Sequence, residues 1–360
     1  MISAVNYDKL LANAVRWLDR SISQNQGKGS SAYFHIINGW SRPYPETTGY
    51  IIPTLYSLSK LDSYDYYAQR ATALADWLLS IQNEDGSFPQ GLSMGQNPEI
   101  FDNGQILYGL LAAYKDTQNQ QYRIAANSLV SWMLKQQNAN GAFDKSTYVN
   151  SYSPSYHIRF IWALILSMDY YENKVKLENS IQIAFEYYSS LILPNGAFRN
   201  CGFNPGDSSL THTIAYTIRG FLECGLLLKD NKWIELILPT IEMIEKKMSE
   251  TTYLAGEYNT DWIGNNTFRC LTGEAQLSII FRRLYQLYKL EKYNNAADKL
   301  LEQISSKQCH FPMLKNLDGG FFASAPFYGK YMRFMMNNWT VKFHIDAVLM
   351  AINPDTELFG

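Results

Sequence analysis

Apolar residues recur at helical spacing along the chain, in segments that short polar turns separate. The segment AQRATALADWLLSIQ places four apolar side chains on one face, which predicts an amphipathic helix: Leu74, Trp77, Leu78 and Ile81. The following NEDG ends this helix, because Asn and Asp bind nearby backbone groups and Gly supplies a left-handed turn. The next segment, FDNGQILYGLLAAYK, is apolar on almost every side, which predicts a helix that is buried all round.

The polar turn recurs at a fixed period. QNEDGSF, QQNANGAF and LPNGAF each carry a glycine, and successive glycines are 55 residues apart: Gly86, Gly141 and Gly196. Three copies at one period predict a repeat whose unit is a pair of helices. The position before each glycine holds Asp85, Asn140 or Asn195, so this position requires turn geometry and not acidity.

Three further segments follow the same order of outer helix, polar turn and inner helix in a degraded form. Together the segments give six helical hairpins, at roughly 8–60, 66–116, 121–171, 176–229, 232–290 and 294–352. An amphipathic helix that alternates with an all-apolar one favours a closed ring over an open solenoid. The sequence therefore predicts an all-α protein, a single (α/α)6 barrel, or toroid, that forms one domain over 1–360.

Composition narrows the possible partners. The hydrophobic content of 46% and the aromatic content of 14% are enough for a large core. The formal net charge is −2, from 31 basic and 33 acidic residues, so no general field exists to attract nucleic acid or an anionic membrane. No apolar run reaches the roughly 18–20 residues of a membrane span.

The first residues and the cysteines indicate a compartment. MISAVNYDKLLANAVRWLDRS has neither the basic start nor the apolar stretch of a signal peptide, which favours a cytoplasmic location. A periplasmic location stays open for a mature form whose leader has been removed. The four cysteines are far apart and form no CxxC pair, which predicts buried, reduced thiols instead of disulfides or a zinc site: Cys201, Cys224, Cys270 and Cys309.

The inner helices of such a barrel should all begin at one rim, and each first turn is polar where the rest of the helix is apolar. These turns read PETTGY, FDNGQI, SPSYHI, LTHTIA, LTGEAQ and NNWTVK. Thr, Ser, Asp and Asn also cap helices, but capping explains glutamate and histidine less well. We therefore expect a ring of side chains around one cleft: Glu46, Asp102, Tyr156, His157, His212, Glu274 and Asn338.

Two of these residues, Glu46 and Asp102, are carboxylates on adjacent inner helices. A carboxyl pair that flanks a glycosidic bond can hydrolyse it, with one group as the acid for the leaving oxygen and the other as base or nucleophile. Burial beside a like charge would raise one pKa and keep that group protonated. The structural alternative is that Asp102 caps its helix while Glu46 pairs with Arg42. Glu274 and Asp261 are reserve carboxylates.

THTIAYTIRG and SYHIR indicate a second chemistry. His212, Tyr216 and Arg219 are spaced i, i+4 and i+7 on one helix face. A base, a tyrosine and an arginine can remove the C5 proton of a uronic acid, after which a lyase eliminates and an epimerase reprotonates. The alternative is that the histidines are core residues. The preceding hairpin supplies a similar set: Tyr156, His157 and Arg159.

Aromatic residues at or near the rim suit sugar rings, because their flat faces pack against axial C–H groups. The candidates for substrate binding are Trp40, Arg159, Arg219, Asp261, Trp262, Asn338 and Trp339. The alternative is that the tryptophans belong to the barrel core. Long loops at 145–154 and 199–210 are predicted to cover the cleft.

The phrases QNEDGSF, QQNANGAF and NLDGGFF, each ahead of an inner helix, resemble the α/α-toroid superfamily. Its members include six-hairpin glycosidases such as unsaturated glucuronyl hydrolases, toroidal polysaccharide lyases and the C-terminal domains of glucuronyl C5-epimerases. Squalene cyclase and prenyltransferase repeats are similar as well. PYPETTGY, FDNGQILYGL and NNWTVKFHIDA also resemble segments of proteins from bacterial surface-polysaccharide gene clusters. The resemblance implies a glycan substrate, and it specifies architecture better than reaction.

The absence of several known sequence motifs helps to rank the functional hypotheses. Neither DxDD nor a DxC zinc pattern appears, which weakens terpenoid chemistry, and HExxH, P-loop and GxSxG motifs are absent. An enzyme without cofactor or metal is therefore expected. The leading hypothesis is a carbohydrate-active enzyme that hydrolyses a glycan with acidic sugars through Glu46 and Asp102. Lyase or epimerase chemistry and a non-catalytic glycan-binding or assembly protein come next, and terpenoid chemistry comes last.

Overall fold

The helices alternate between an outer and an inner layer in a computed structural model that describes residues 6–92, 95, 97–356, 358 and 360. The outer helices are α1 (Tyr7–Ser23), α3 (Tyr66–Ser80), α5 (Gln120–Met133), α7 (Lys174–Ser189), α10 (Leu238–Glu250) and α12 (Glu291–Ser305). The inner helices are α2 (Pro45–Leu58), α4 (Ile100–Thr117), α6 (Ile158–Leu166), α8 (Thr211–Leu228), α11 (Leu271–Tyr288) and α13 (Asn338–Ile352). A 3-10 turn (Ser155–His157) precedes α6, and the short α9 (Asn231–Glu235) precedes α10.

The two layers differ in burial as the hydrophobic pattern predicts. Every residue of α2 is buried, and so is almost all of α13. The outer helix α3 buries only one stripe, which includes Leu74 and Leu78. An inner helix is therefore enclosed by its two inner neighbours and by the outer layer, while an outer helix keeps one face in water.

The inner helices form a closed ring. Helix α2 packs on α4, α4 on α6, α6 on α8, α8 on α11, α11 on α13, and α13 again on α2. The α2–α4 pair is especially close, since a Cβ added at Gly49 would lie 2.5 Å from the Cα of Ile106. The prediction of an all-α toroid is confirmed.

The recurrent polar turn attaches each hairpin to the next outer helix. Gly86 has a φ of +93°, and a Cβ at this position would lie 2.5 Å from the carbonyl oxygen of Ser128 in α5. The Asp85 carboxylate accepts the backbone N–H of Ser87 at 3.0 Å. The amides of Asn140 and Asn195 accept the equivalent N–H groups at 3.1 Å each, so the prediction of a turn-forming position is confirmed.

The same turn closes the outer layer. Gly319 in NLDGGFF has a φ of +88°, and a Cβ there would collide with the carbonyl oxygen of Asn13 in α1. The last hairpin therefore contacts the first outer helix in the way that the turns of Gly86, Gly141 and Gly196 contact the outer helices that follow them. Only glycine fits this position, because both the backbone conformation and the close approach exclude a side chain.

Short strands connect the loops that lead into the inner helices. The first sheet has the order β2 (Gly39–Trp40), β1 (Tyr33–His35) and β8 (Met335–Asn337), and Phe34 pairs with Met336. The others join β3 (Ser209–Leu210), β4 (Glu257–Tyr258) and β5 (Gly264–Asn265), and β6 (Arg269–Cys270) with β7 (Ser324–Ala325). The sequence pattern did not predict these strands, because two or three residues are too few to show an alternation.

Two further expectations concern the whole chain. All four cysteines are free and buried, which confirms the prediction of unpaired thiols. Over the part of the chain that the structure describes, no helix is both long and apolar enough to cross a membrane.

Candidate active site

The first turns of several inner helices surround a cavity of about 240 Å³ at one end of the barrel. The loops before and between these helices complete its wall. The residues that line it are Tyr44, Glu46, Tyr50, Glu99, Phe101, Asp102, Tyr148, Tyr156, Phe203, His212, Tyr216, Tyr331, Met332 and Trp339. Six sequence candidates are thus brought together: Glu46, Asp102, Tyr156, His212, Tyr216 and Trp339.

Asp102 lies in the first turn of α4 and is 1% exposed. Its Oδ2 accepts the hydroxyl of Tyr148 at 2.8 Å and the backbone N–H of Gly91 at 3.1 Å. Its Oδ1 accepts the hydroxyl of Tyr44 at 3.2 Å. Three neutral donors thus surround one carboxylate, which stabilises its ionised form without cancelling its charge.

Helix capping does not account for Asp102. The cap of α4 is Glu99, whose Oε2 accepts the backbone N–H of Asp102 at 2.7 Å. The other half of the structural alternative also fails, because Glu46 is buried, Arg42 is exposed, and no ion pair of the described residues joins them. Both carboxylates are therefore available to a molecule in the cavity.

Three buried carboxyl groups share this cavity, and their pKa values differ. Burial raises the pKa of Asp102 to about 6, against the opposing effect of its hydrogen bonds. Burial, followed by the charge of Asp102, raises the pKa of Glu46 and of Glu99 well above the usual range. The ionised form is therefore supported most in Asp102, while the raised pKa values of Glu46 and Glu99 favour their protonated forms.

Glu99 is a cavity residue that was not predicted from the sequence. Glutamate is not a preferred residue at a helix N-cap. Its presence at the cap position in PEIFDNG was therefore the sequence feature that could have marked Glu99 as a site residue. A second signal was its spacing of three residues from Asp102, which puts two acidic groups on one helix turn.

His212 is a neutral hydrogen-bonding group. The amide of Gln276 donates to its Nδ1 at 2.6 Å and also lies 3.3 Å from the carbonyl oxygen of Thr272. Burial, and next the charge of Arg159, lowers the pKa of His212 to about 3. With Nδ1 as an acceptor, the proton of the neutral ring resides on Nε2, and the ring itself lines the cavity.

The structure separates the base, tyrosine and arginine set. Arg159 is fully buried, with its guanidinium carbon 4.3 Å from the centroid of the Tyr216 ring and its Nε bound to Gln105 at 3.0 Å. Arg219 pairs with Glu223 at 2.7 Å and lines a different cavity, toward the C-terminal ends of the inner helices. Neither arginine lines the cavity that contains His212 and Tyr216.

Two other first-turn candidates also lie outside the cavity lining. The ring of His157 packs between Phe101 and Phe160, and burial lowers its pKa to about 3. Glu274 is fully buried and accepts the Nε of Arg269 at 2.8 Å in a two-point ion pair. For these two residues, the structural alternative describes the observed contacts better than a role in the cleft.

The remaining binding candidates hold the rim together. The ring of Trp40 packs on Trp17 at 5.1 Å, and Trp262 donates its Nε1–H to the carbonyl oxygen of Asn195 at 3.1 Å. Asp261 is exposed and lies outside the lining. Asn338 is buried and donates to Ser30, Ser31 and Thr47, which ties α13 to the first hairpin.

Both predicted covering loops reach the cavity. Loop 145–154 contributes Tyr148, and loop 199–210 contributes Phe203. These two side chains are 57% and 45% exposed, so they form the outer edge of the cavity. Trp339 lies deeper and donates its Nε1–H to the hydroxyl of Tyr331 at 2.8 Å. No group of His, Cys, Asp and Glu that could hold a metal occurs among the described residues.

Comparisons with known proteins agree on the fold. No protein-family model matches the sequence, and no curated protein matches it. An unsaturated glucuronyl hydrolase from Bacillus sp. GL1 is 10% identical with a TM-score of 0.78, over 98% of this chain and 98% of that one. An unsaturated glucuronyl hydrolase specific for heparin is 15% identical with a TM-score of 0.71, over 97% and 98% of the chains.

A different sugar enzyme has the same architecture. A cellobiose 2-epimerase from Bacillus thermoamylovorans B4167 is 13% identical with a TM-score of 0.71, over 95% of this chain and 97% of that one. At these identities the likeness shows the fold alone. The comparisons thereby confirm the toroid architecture that these solved structures share.

Proposed function

We propose that this protein is a carbohydrate-active enzyme that hydrolyses a glycosidic bond, with Asp102 and Glu46 as its reacting pair. The observation that carries the proposal is that Glu46, Glu99 and Asp102 line one buried cavity and that neutral donors hold the Asp102 carboxylate there. Groups whose pKa values are pushed apart in one site are the usual basis of an acid and base assignment.

In the proposed reaction, Glu46 gives its proton to the glycosidic oxygen as the bond to the anomeric carbon breaks. Asp102 takes a proton from water while the water oxygen bonds to that carbon, or it attacks the carbon itself in a two-step route. Tyr148 and Tyr44, which donate to Asp102 at 2.8 and 3.2 Å, hold the carboxylate in position. The two protons return to their starting distribution through solvent.

The size and lining of the cavity suit a sugar. Its volume of about 240 Å³ is below the roughly 300–1,000 Å³ of typical ligand pockets, which favours one sugar ring at a time. Tyr50, Tyr216 and Trp339 offer aromatic surfaces with polar edges, as sugar rings require. The fold neighbours that hydrolyse or epimerise sugars are consistent with this substrate class.

Lyase or epimerase chemistry is the second candidate, because His212 and Tyr216 both line the cavity with ring centroids 4.3 Å apart. It would require a cation to neutralise the uronate carboxylate. Arg159 and Arg219 were expected to serve this purpose, and neither lines the cavity. Hydrolysis therefore accounts for more of the described residues.

The experiment compares the wild type with Asp102→Asn, Glu46→Gln and the rim variant Asp261→Asn on a panel of nitrophenyl glycosides and oligosaccharides. New reducing ends should appear with the wild type and with Asp261→Asn. They should fall by roughly 10²–10⁴-fold in the two cavity variants, as is typical for the loss of an acid or base. Undiminished turnover by Asp102→Asn would contradict the proposal, and an unsaturated product would favour the lyase.

A further inference from the structure

We infer that the sugar ring bound in this cavity carries no carboxylate, so that the substrate is cleaved at an uncharged residue. This inference rests on the proposed function and specifies its substrate class. The sequence predicts a glycan that contains acidic sugars, and this inference places those sugars outside the cavity.

All charged groups on the cavity wall are acidic. Glu46, Glu99 and Asp102 line it, and no lysine or arginine does so among the residues that the structure describes. The chain has no lysine or arginine at all between Arg70 and Lys115, a stretch that includes everything adjacent in sequence to Asp102. A uronate carboxylate in this cavity would therefore meet no lysine or arginine on the described wall.

The nearest cations lie behind the aromatic wall. Arg159 is fully buried with its guanidinium carbon 4.3 Å from the centroid of the Tyr216 ring, and its two terminal nitrogens have no hydrogen-bond partner among the described residues. Lys342 is fully buried, lies 5.4 Å from the centroid of the Tyr50 ring and pairs with Asp346 at 2.8 Å. Both cations are fully buried and outside the lining, so neither presents a donor to a ligand in the cavity.

His212 does not supply the missing charge. It is the one histidine on the described wall, and its Nδ1 accepts a hydrogen bond from Gln276 at 2.6 Å. A neutral imidazole can donate one hydrogen bond to a sugar hydroxyl, but it does not balance a carboxylate. Glu46 and Glu99, when protonated, likewise match hydroxyl groups and not an anion.

Two like charges in one buried cavity repel each other strongly, because little water screens them. A ring with a carboxylate should therefore bind roughly tenfold or more weakly than the same ring with a hydroxymethyl group. Exposed arginines such as Arg42 and Arg333 lie at the rim but not on the wall. Acidic sugars are thus excluded only from the cavity itself.

The test is calorimetric binding of matched methyl glycosides: glucoside against glucuronide, and galactoside against galacturonide, each as both anomers. For every pair that binds, the uncharged member should bind at least about tenfold more tightly to the wild type. The gap should shrink in Asp102→Asn, which removes the ionised carboxylate, and should persist in Asp261→Asn, whose altered residue is exposed.

Each outcome decides a different question. A uronide that binds more tightly than its uncharged partner overturns the inference while leaving hydrolysis intact. A gap that is unchanged in Asp102→Asn also overturns it, because the preference would then not arise from this charge. If no member of any pair binds, the cavity is not a site for these sugars, and the proposed function fails together with the inference.

Discussion

The ionised carboxylate of the candidate site should lower the stability of the folded protein at neutral pH. Asp102 is 1% exposed, and burial raises its pKa from a usual value of 3.8 to about 6. Replacement by asparagine keeps the shape of the side chain and removes its ionisation. The free energy of unfolding of Asp102→Asn should therefore exceed that of the wild type above pH 6 but not below pH 4.

The sign and size follow from proton binding. Because the folded state holds this proton more tightly than the unfolded state, the contribution of Asp102 is complete below its unfolded pKa. It is lost as the pH rises through the folded pKa. The two values differ by about two pKa units, and each corresponds to about 1.4 kcal/mol, so the loss is about 3 kcal/mol.

Urea unfolding of both proteins at pH 4 and at pH 7.5 measures this difference. The relevant quantity is the change, between the two pH values, in the free energy of unfolding of Asp102→Asn relative to the wild type. Any packing or hydrogen-bond defect of the amide is present at both pH values and cancels. Asp261→Asn is the matched control, and as an exposed position it should change by less than about 0.5 kcal/mol.

A variant whose relative stability is the same at both pH values would refute the reasoning. Asp102 would then have an ordinary pKa in the folded protein, and the cavity would not separate an acid from a base. A relative stability of Asp102→Asn that falls with rising pH would contradict even the sign of the pKa shift. It would mean that the folded protein stabilises the charge of Asp102 more than water does.

Two further variants probe the groups around the carboxylates. Tyr148→Phe removes the hydroxyl that donates to Asp102 at 2.8 Å and so disfavours the ionised carboxylate. The acidic limb of the pH–kcat/KM profile should therefore move upward from about pH 6 by about one unit. Tyr328→Phe, at an exposed position outside the lining, should leave this limb in place. Glu274→Gln leaves Arg269 buried without a counter-charge and should lower the free energy of unfolding by about 3 kcal/mol, measured in urea. Glu250→Gln, in an exposed ion pair, should cost less than about 1 kcal/mol.

The architecture could be predicted because the hairpins repeat the same turn and the same pair of outer and inner helices. Gly86 and its counterparts need a left-handed backbone, and that need recurs visibly at a period of 55 residues. The alternation of amphipathic and fully apolar helices then reports which layer each helix occupies. The rim strands leave no comparable signal, because pairs such as β6 and β7 involve only two residues each.

The candidate site could be predicted only in part, because a helix face does not specify depth. His212 and Arg219 share a face of α8, but seven residues at about 1.5 Å of rise put them about 10 Å apart along the axis. His212 therefore lines the cavity while Arg219 meets Glu223 nearer the other end of the barrel. Residues in the first two turns, such as Asp102 and Tyr216, can reach the cavity, whereas Arg219 in the third turn of α8 does not.

Depth alone does not separate Asp102 from Glu274, since both are acidic residues in the first turn of an inner helix. Their partners make the difference. Glu274 meets a guanidinium, which cancels its charge, and Asp102 meets hydroxyl and amide donors, which leave its charge available for chemistry.

Sequence spacing does not reveal those partners. Arg269 lies five residues before Glu274 and binds it, whereas Arg42 lies four residues before Glu46 and remains exposed. The strand geometry decides this outcome, because Arg269 is a buried residue of β6 and is held against α11 by the pairing of β6 with β7. A functional carboxylate in this ring is therefore one that the rim loops leave without a cation, and identifying it requires the fold of those loops as well as the helical repeat.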